Sequence, residues 1–182
     1  MALLLVGINH TTASIDLREK VAFPPAIISE ALSDLMALPA VAEAVIVSTC
    51  NRTEIYVDLT VDHTPKGEIQ FRPVVEWLSR YHDLNSDHLE QSCYFYDNTG
   101  VVRHLMRVSC GLDSMILGEP QILGQIKSAF AFSKDYDAVG AALGRAFQAA
   151  FSIAKEVRLS LIHISEPTRR YAISYAVFCL KK

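Results

Sequence analysis

An α+β fold, a small antiparallel-sheet sandwich with helices on one face, is what this chain predicts, on three observations. Its 182 residues are 51% hydrophobic and 20% charged, enough to bury a core within one domain plus an appendage. Two β-rich runs, Val45-Ile46-Val47 and Ile55-Tyr56-Val57, flank a tight polar connection, the pattern of an antiparallel hairpin. The remaining elements follow the order βααββαβαα, which suits helices laid over a largely antiparallel sheet.

Taken in order, Leu3 to Ile8 is apolar, lacks a basic leader and gives way at once to Asn9-His10, so it reads as a first strand and not a signal peptide. Asp16-Leu17-Arg18-Glu19 has the D-x-x-E form of a reciprocally capped helix start, and Pro24-Pro25 ends that short helix. Ile27, Ile28, Ala31, Leu32 and Leu35 keep helical spacing within residues 25–37. Strands over 43–49 and 53–59 meet at Cys50, and Asp62 to Gly67 is a polar loop. Val74, Val75, Trp77 and Leu78 predict a helix over 69–81, followed by a polar turn rich in Asn, Asp and Ser. Ser92 to Tyr96 is a short β-rich run, and Asp97-Asn98-Thr99 offers N-caps to a helix over 100–110. Gly111 to Gly118 is a loop, and Pro120 suits the first position of a helix striped by Ile122, Leu123, Ile126, Ala129 and Phe130. Alanine-rich residues 138–157, with Gly140-x-x-x-Gly144, predict a long final helix. After Arg158 the character changes, and Pro167 interrupts any helical continuation.

Charge and cysteine content narrow the function classes. Net charge is −3, but residues 159–182 carry +3 and the rest −6, so the body shows no basic face for nucleic acid. Cys50, Cys93, Cys110 and Cys179 stand 43, 17 and 69 residues apart, with no CxxC pair and no HExxH. That spacing predicts no metal site and no disulfide framework, and reduced thiols fit a cytoplasmic protein. No run approaches the ~18 apolar residues of a membrane span.

Thr49-Cys50-Asn51-Arg52-Thr53 is the most informative segment. A loop held between two strands is a usual place for catalytic groups, and a thiol beside a permanent cation favours the thiolate. Cys50 is therefore the candidate nucleophile, while Cys93 and Cys110 have apolar neighbours and read as core. His104 lies one turn from Val101 and Val108, the setting of a partly buried imidazole. His10 ends the first strand and reads as structural.

Five ordered motifs, Gly7-Ile-Asn-His-Thr-Thr-Ala13, Ser48-Thr-Cys-Asn-Arg-Thr-Glu54, His104-Leu-Met-Arg-Val108, Gly111-Leu-Asp-Ser114 and Gly118-Glu-Pro-Gln-Ile-Leu-Gly-Gln125, together resemble the N-terminal catalytic domain of glutamyl-tRNA reductase, from the first residues to about Arg158. The resemblance implies a ferredoxin-like domain over 1–137, the start of a long connecting helix over 138–158, and a non-family tail of foreign character over 159–182. It implies an NADPH-dependent oxidoreductase that converts glutamyl-tRNA to glutamate-1-semialdehyde through a cysteine thioester, an early step of tetrapyrrole (porphyrin) synthesis. It also implies homodimerisation in a full-length protein and glutamate-1-semialdehyde aminotransferase as a partner, and it places the NADPH domain elsewhere, since no G-x-G-x-x-G occurs here. In that setting Cys50 is the nucleophile and His104 a proton donor or positioner. Arg52 would grip the substrate's side-chain carboxylate with a bidentate fork. Thr49, Asn51, Ser114 and Pro120 match substrate-contacting positions, and Glu119 with Gln121 and Gln125 would take the α-ammonium. Glu119 has a second reading, stabilising the positive end of its helix. Two other functions are weighed: a non-catalytic partner-binding domain that retains the fold, and a thiol hydrolase of small esters.

Overall fold

The computed structural model describes residues 2–60, 71–119 and 121–162. The polar loop at 62–67, Pro120 and nearly all of the 159–182 tail lie outside the described residues.

Strands β1 (Ala2–Asn9), β2 (Val41–Ser48), β3 (Arg52–Leu59) and β4 (Tyr94–Asp97) form one antiparallel sheet in the order β2-β3-β1-β4. Helices α1 (Ile15–Lys20) and α2 (Ile28–Met36) connect β1 to β2, and α3 (Arg72–Tyr81) and α4 (Ser86–Gln91) lie between β3 and β4. This is the split, doubled crossover of a ferredoxin-like sandwich. Helices α5 (Asn98–Ser109), α6 (Gln121–Asp135) and α7 (Ala141–Ile162) follow.

Side chains of a strand alternate between faces, and both faces here are buried. Leu4, Val6, Ile8, Ala44, Ile46, Ile55 and Val57 pack on α2 and α3 through Leu32, Leu35, Val74 and Trp77. Leu5, Val45, Val47 and Tyr56 pack on α5, α6 and α7 through Leu105, Ile126 and Phe147. The expectation of helices on one face is thus corrected: it holds for the crossover helices only, and the three C-terminal helices cover the second face. The continuous apolar runs of β1 and β2 have this cause, because a strand covered on one side alternates apolar with polar.

Three local expectations also change. The cap of α1 is Ser14, whose Oγ accepts from Leu17 N, and not Asp16. The polar turn after α3 contains helix α4, whose N-cap Asn85 accepts from His88 N at 3.1 Å. The long helix starts at Ala141 and belongs to the core through Leu143, Ala146, Phe147 and Ala150. Its first turn is capped from another strand, since Glu43 of β2 accepts from Ala142 N at 2.9 Å and Leu143 N at 2.7 Å. Gly140 is required there, because a Cβ would press on the Glu43 carboxylate.

Candidate active site

Cys50 sits at the tip of the β2–β3 hairpin, and its exposed position is built by its neighbours. Thr49 closes the turn: its N–H donates to the Arg52 carbonyl at 2.8 Å, and its Oγ1 accepts from Asn51 N and Arg52 N at 3.3 and 3.2 Å. The Arg18 guanidinium from α1 donates to the Cys50 carbonyl at 2.9 Å and to Asn51 Oδ1 at 3.4 Å. His10 N–H donates to the Asn51 carbonyl at 3.1 Å. The backbone under the thiol is therefore fixed while the residue itself faces solvent. The other described thiols differ. Burial pushes Cys93 up to about 12, and burial also raises Cys110.

Arg52 points inward. It is 2% exposed, and its guanidinium donates to Glu54 Oε1 at 2.6 Å and to the Asp113 carbonyl. The cation that touches Cys50 is Arg18, which sequence reasoning passed over. Period-2 geometry explains the inward course: Arg52, Glu54 and Tyr56 share the second face of β3.

Glu54 gathers the site. Its carboxylate is fully buried and accepts from Arg52, from Tyr56 Oη and Tyr94 Oη at 2.6 Å each, and meets His104 Nε2 at 2.8 Å. Burial alone would raise its pKa, but His104, Arg52 and the Tyr56 hydroxyl outweigh it and hold the carboxyl well below the usual range. Burial, and then Glu54, push both tyrosine hydroxyls up, so they stay donors. The Tyr94 contact depends on residue 7. Gly7 pairs with Glu54 on one side and Tyr94 on the other, and a Cβ there would overlap the Tyr94 ring. The glycine lets a tyrosine of β4 reach across β1 to β3.

A polar cleft of about 540 Å³ adjoins the network, lined by Asn9 to Thr12, Tyr94, Tyr96, His104, Arg107 and Leu112 to Ser114. Asp113 holds one wall: its carboxylate takes Arg107 Nε at 3.1 Å and Nη2 at 2.6 Å, while its carbonyl takes Arg52. His10 borders the cleft as a neutral imidazole, its pKa lowered by burial and then by Arg52 and Arg18, and its buried Nδ1 has no partner. A purely structural His10 was expected; the structure adds a place in the cleft wall. Of the expected site residues, His104 and Ser114 line the cleft, and Cys50, Thr49 and Asn51 form the adjoining turn. Glu119 is half-buried, and Gln121 and Gln125 are exposed on α6, outside the cleft lining. Among the described residues there is no cluster of His, Cys, Asp or Glu that could hold a metal ion. Nor do these residues fit a dinucleotide, since the sheet is antiparallel throughout and no glycine loop leads from a strand into a phosphate-facing helix.

A model of the family "Glutamyl-tRNAGlu reductase, N-terminal domain" matches residues 6–161. The glutamyl-tRNA reductase of Photobacterium profundum is 49% identical over 158 residues, covering 87% of this chain and 36% of that protein. That of Pseudomonas entomophila is 47% identical over 182 residues, all of this chain and 40% of that protein. The solved glutamyl-tRNA reductase of Methanopyrus kandleri superposes with a TM-score of 0.68 at 28% identity, covering 87% of this chain and 34% of that one. The chain thus spans well under half the length of these relatives.

Proposed function

This chain belongs to the glutamyl-tRNA reductase family, over its N-terminal domain, and we propose that it carries out the acyl-capture half of that enzyme's reaction. Cys50 attacks the ester carbonyl of glutamyl-tRNA, the sulfur–carbon bond forms, and the ribose oxygen leaves with a proton from His104. The thioester is the form that a hydride can reduce. The observation that carries this reading is the setting of the thiols: Cys50 is exposed on a pinned turn whose Asn51 carbonyl is held by the cleft-lining His10, while Cys93 and Cys110 are raised by burial.

Substrate recognition is assigned to Thr49, Asn51, Arg52, Ser114, Glu119, Pro120, Gln121 and Gln125, the family-matching positions, with Ser114 already in the cleft wall. Arg52 is buried on Glu54 and the Asp113 carbonyl, so its proposed contribution to recognition is to hold Asp113 in the cleft wall. NADPH is the reductant we assign to the complete enzyme, and no step through it is derived from these residues. Homodimerisation, the aminotransferase partner and a cytoplasmic location are likewise proposals for the complete protein. Among the described residues no helix is long and apolar enough to cross a membrane.

Incubation with glutamyl-tRNA, followed by mass spectrometry of the protein and product analysis with and without NADPH, tests the proposal. A glutamyl adduct on Cys50 and slow release of glutamate are expected, with no semialdehyde. Absence of any adduct in the folded protein overturns the acyl-capture reading and favours a non-catalytic binding domain. Semialdehyde formed with NADPH overturns the restriction to half of the reaction.

A further inference from the structure

We propose that Glu54 is a positioning residue that sets the proton arrangement of His104: it keeps the hydrogen on Nε2 and leaves Nδ1 as the nitrogen that exchanges a proton with the substrate. The inference rests on the reading of His104 as the acid–base group. An ionised carboxylate can only accept hydrogen bonds. At 2.8 Å from Glu54 Oε1, Nε2 must therefore carry the hydrogen, because a bare nitrogen would set two lone pairs against each other. The other contacts of Glu54 agree, since Arg52, Tyr56 and Tyr94 are all donors to it. A fully buried carboxylate that already accepts from three donors stays an acceptor towards Nε2 as well.

The ring's orientation is fixed as well. Tyr96 stacks on it at 4.7 Å and 24°, and Tyr94 lies at 5.3 Å on a tilted plane. Nδ1 stands 3.8 Å from Asp113 Oδ2, on the side where Asp113 and Arg107 line the cleft. The charged and titratable groups around the ring are thus Glu54, Arg52, Tyr94, Tyr96, Asp113 and Arg107. A second carboxylate holding the far nitrogen of a working histidine is a recurrent way to orient it and strengthen it as a base. With Nδ1 free, the proton balance closes inside the site. Nδ1 accepts the proton that Cys50 gives up and returns it to the ribose oxygen as the C–O bond breaks. Glu54 touches neither substrate nor sulfur in this scheme.

Two-bond ¹H–¹⁵N correlation spectra of the uniformly labelled chain at pH 8 read the ring directly, with the His104 signals assigned by their loss in His104→Gln. A ring protonated at Nε2 with Nδ1 bare is the expected result, and a ring carrying hydrogen on both nitrogens overturns the reading of Nδ1 as the proton acceptor. A ring protonated at Nδ1 alone overturns the proposal without any variant having to fold. In Glu54→Gln the amide can donate or accept, so a mixture of the two tautomers is expected. The rate of Cys50 adduct formation should fall at least tenfold with an altered pH profile. A mixed ring with an unchanged rate and profile also overturns the proposal. Failure of wild-type protein to form the adduct, with the ring still protonated at Nε2, counts against the acyl-capture reading instead.

Discussion

Cys50, Cys93 and Cys110 share one chain but see different surroundings, and their chemistry should separate accordingly. Timed alkylation of the native protein with peptide mapping should modify Cys50 first and Cys93 and Cys110 only on unfolding, because the latter pair are raised by burial. Modification of Cys93 or Cys110 first would remove Cys50 as the nucleophile. Gly7 offers a second prediction at this scale. Gly7→Ala puts a methyl group into the Tyr94 ring and should cost about 1–3 kcal/mol as overpacking. The paired variant Gly7→Ala with Tyr94→Ala should recover part of that loss in thermal unfolding. Equal melting temperatures for wild type and Gly7→Ala would show that the ring moves aside freely. The thiol was legible from its own neighbours in sequence. Gly7 was not, since its significance lies in Glu54 and Tyr94, which are remote in sequence and joined to it only by register.

The elements show the same division between local and distant causes. Strand β3 was found from its β-branched and aromatic residues, but Arg52 was left in the connection before it, so the shared face of Arg52, Glu54 and Tyr56 went unread although a period of two records it. Helix α4 was missed because its cap residue Asn85 and its first residues Ser86 and Asp87 are also turn formers. Helix α7 was found, but its cap was not, because the capping carboxylate belongs to Glu43, 99 residues before Ala142. Glu43→Ala should therefore lower stability by more than the ~1 kcal/mol of an ordinary cap, since two amide groups lose a buried partner. Denaturant unfolding monitored by helical circular dichroism measures it, and a loss under ~0.5 kcal/mol would mean that water replaces the carboxylate.

Over the whole molecule, the sheet is the middle layer, and the buried charge of Glu54 lies in its second interface. That has a consequence for pH. Glu54 has a lowered pKa in the folded state, so its contribution to stability is complete above the unfolded value of about 4.3 and is lost as pH falls below it toward the folded value. Acid titration of stability should show wild type losing more than Glu54→Gln between roughly pH 4 and pH 2. Parallel curves for the two proteins would show that Glu54 is not ionised in the fold. The general architecture was legible in the order of strands and helices. The covering of both faces was not inferred, although the unbroken apolar runs of β1 and β2 recorded it, because α5 to α7 follow the sheet in sequence and nothing local says which side they take.

The spacing of the Glu54 network along the chain also orders events in time. Glu54 and His104 are separated by 50 positions. At roughly 5–20 residues per second, a ribosome needs on the order of 3–10 s to make that stretch. Through that interval Arg52 and Glu54 exist without Tyr94, His104 or the Asp113 carbonyl, and burying a charged pair short of its partners is unfavourable. The β2–β3 hairpin of the nascent chain thus has reason to stay open until β4 and α5 emerge, with Cys50 displayed on an unformed turn. For those seconds the thiol has neither the Arg18 clamp nor a histidine oriented to serve it. The reactive state of Cys50 would then be switched on as α5 emerges, while the rest of the chain is still being made.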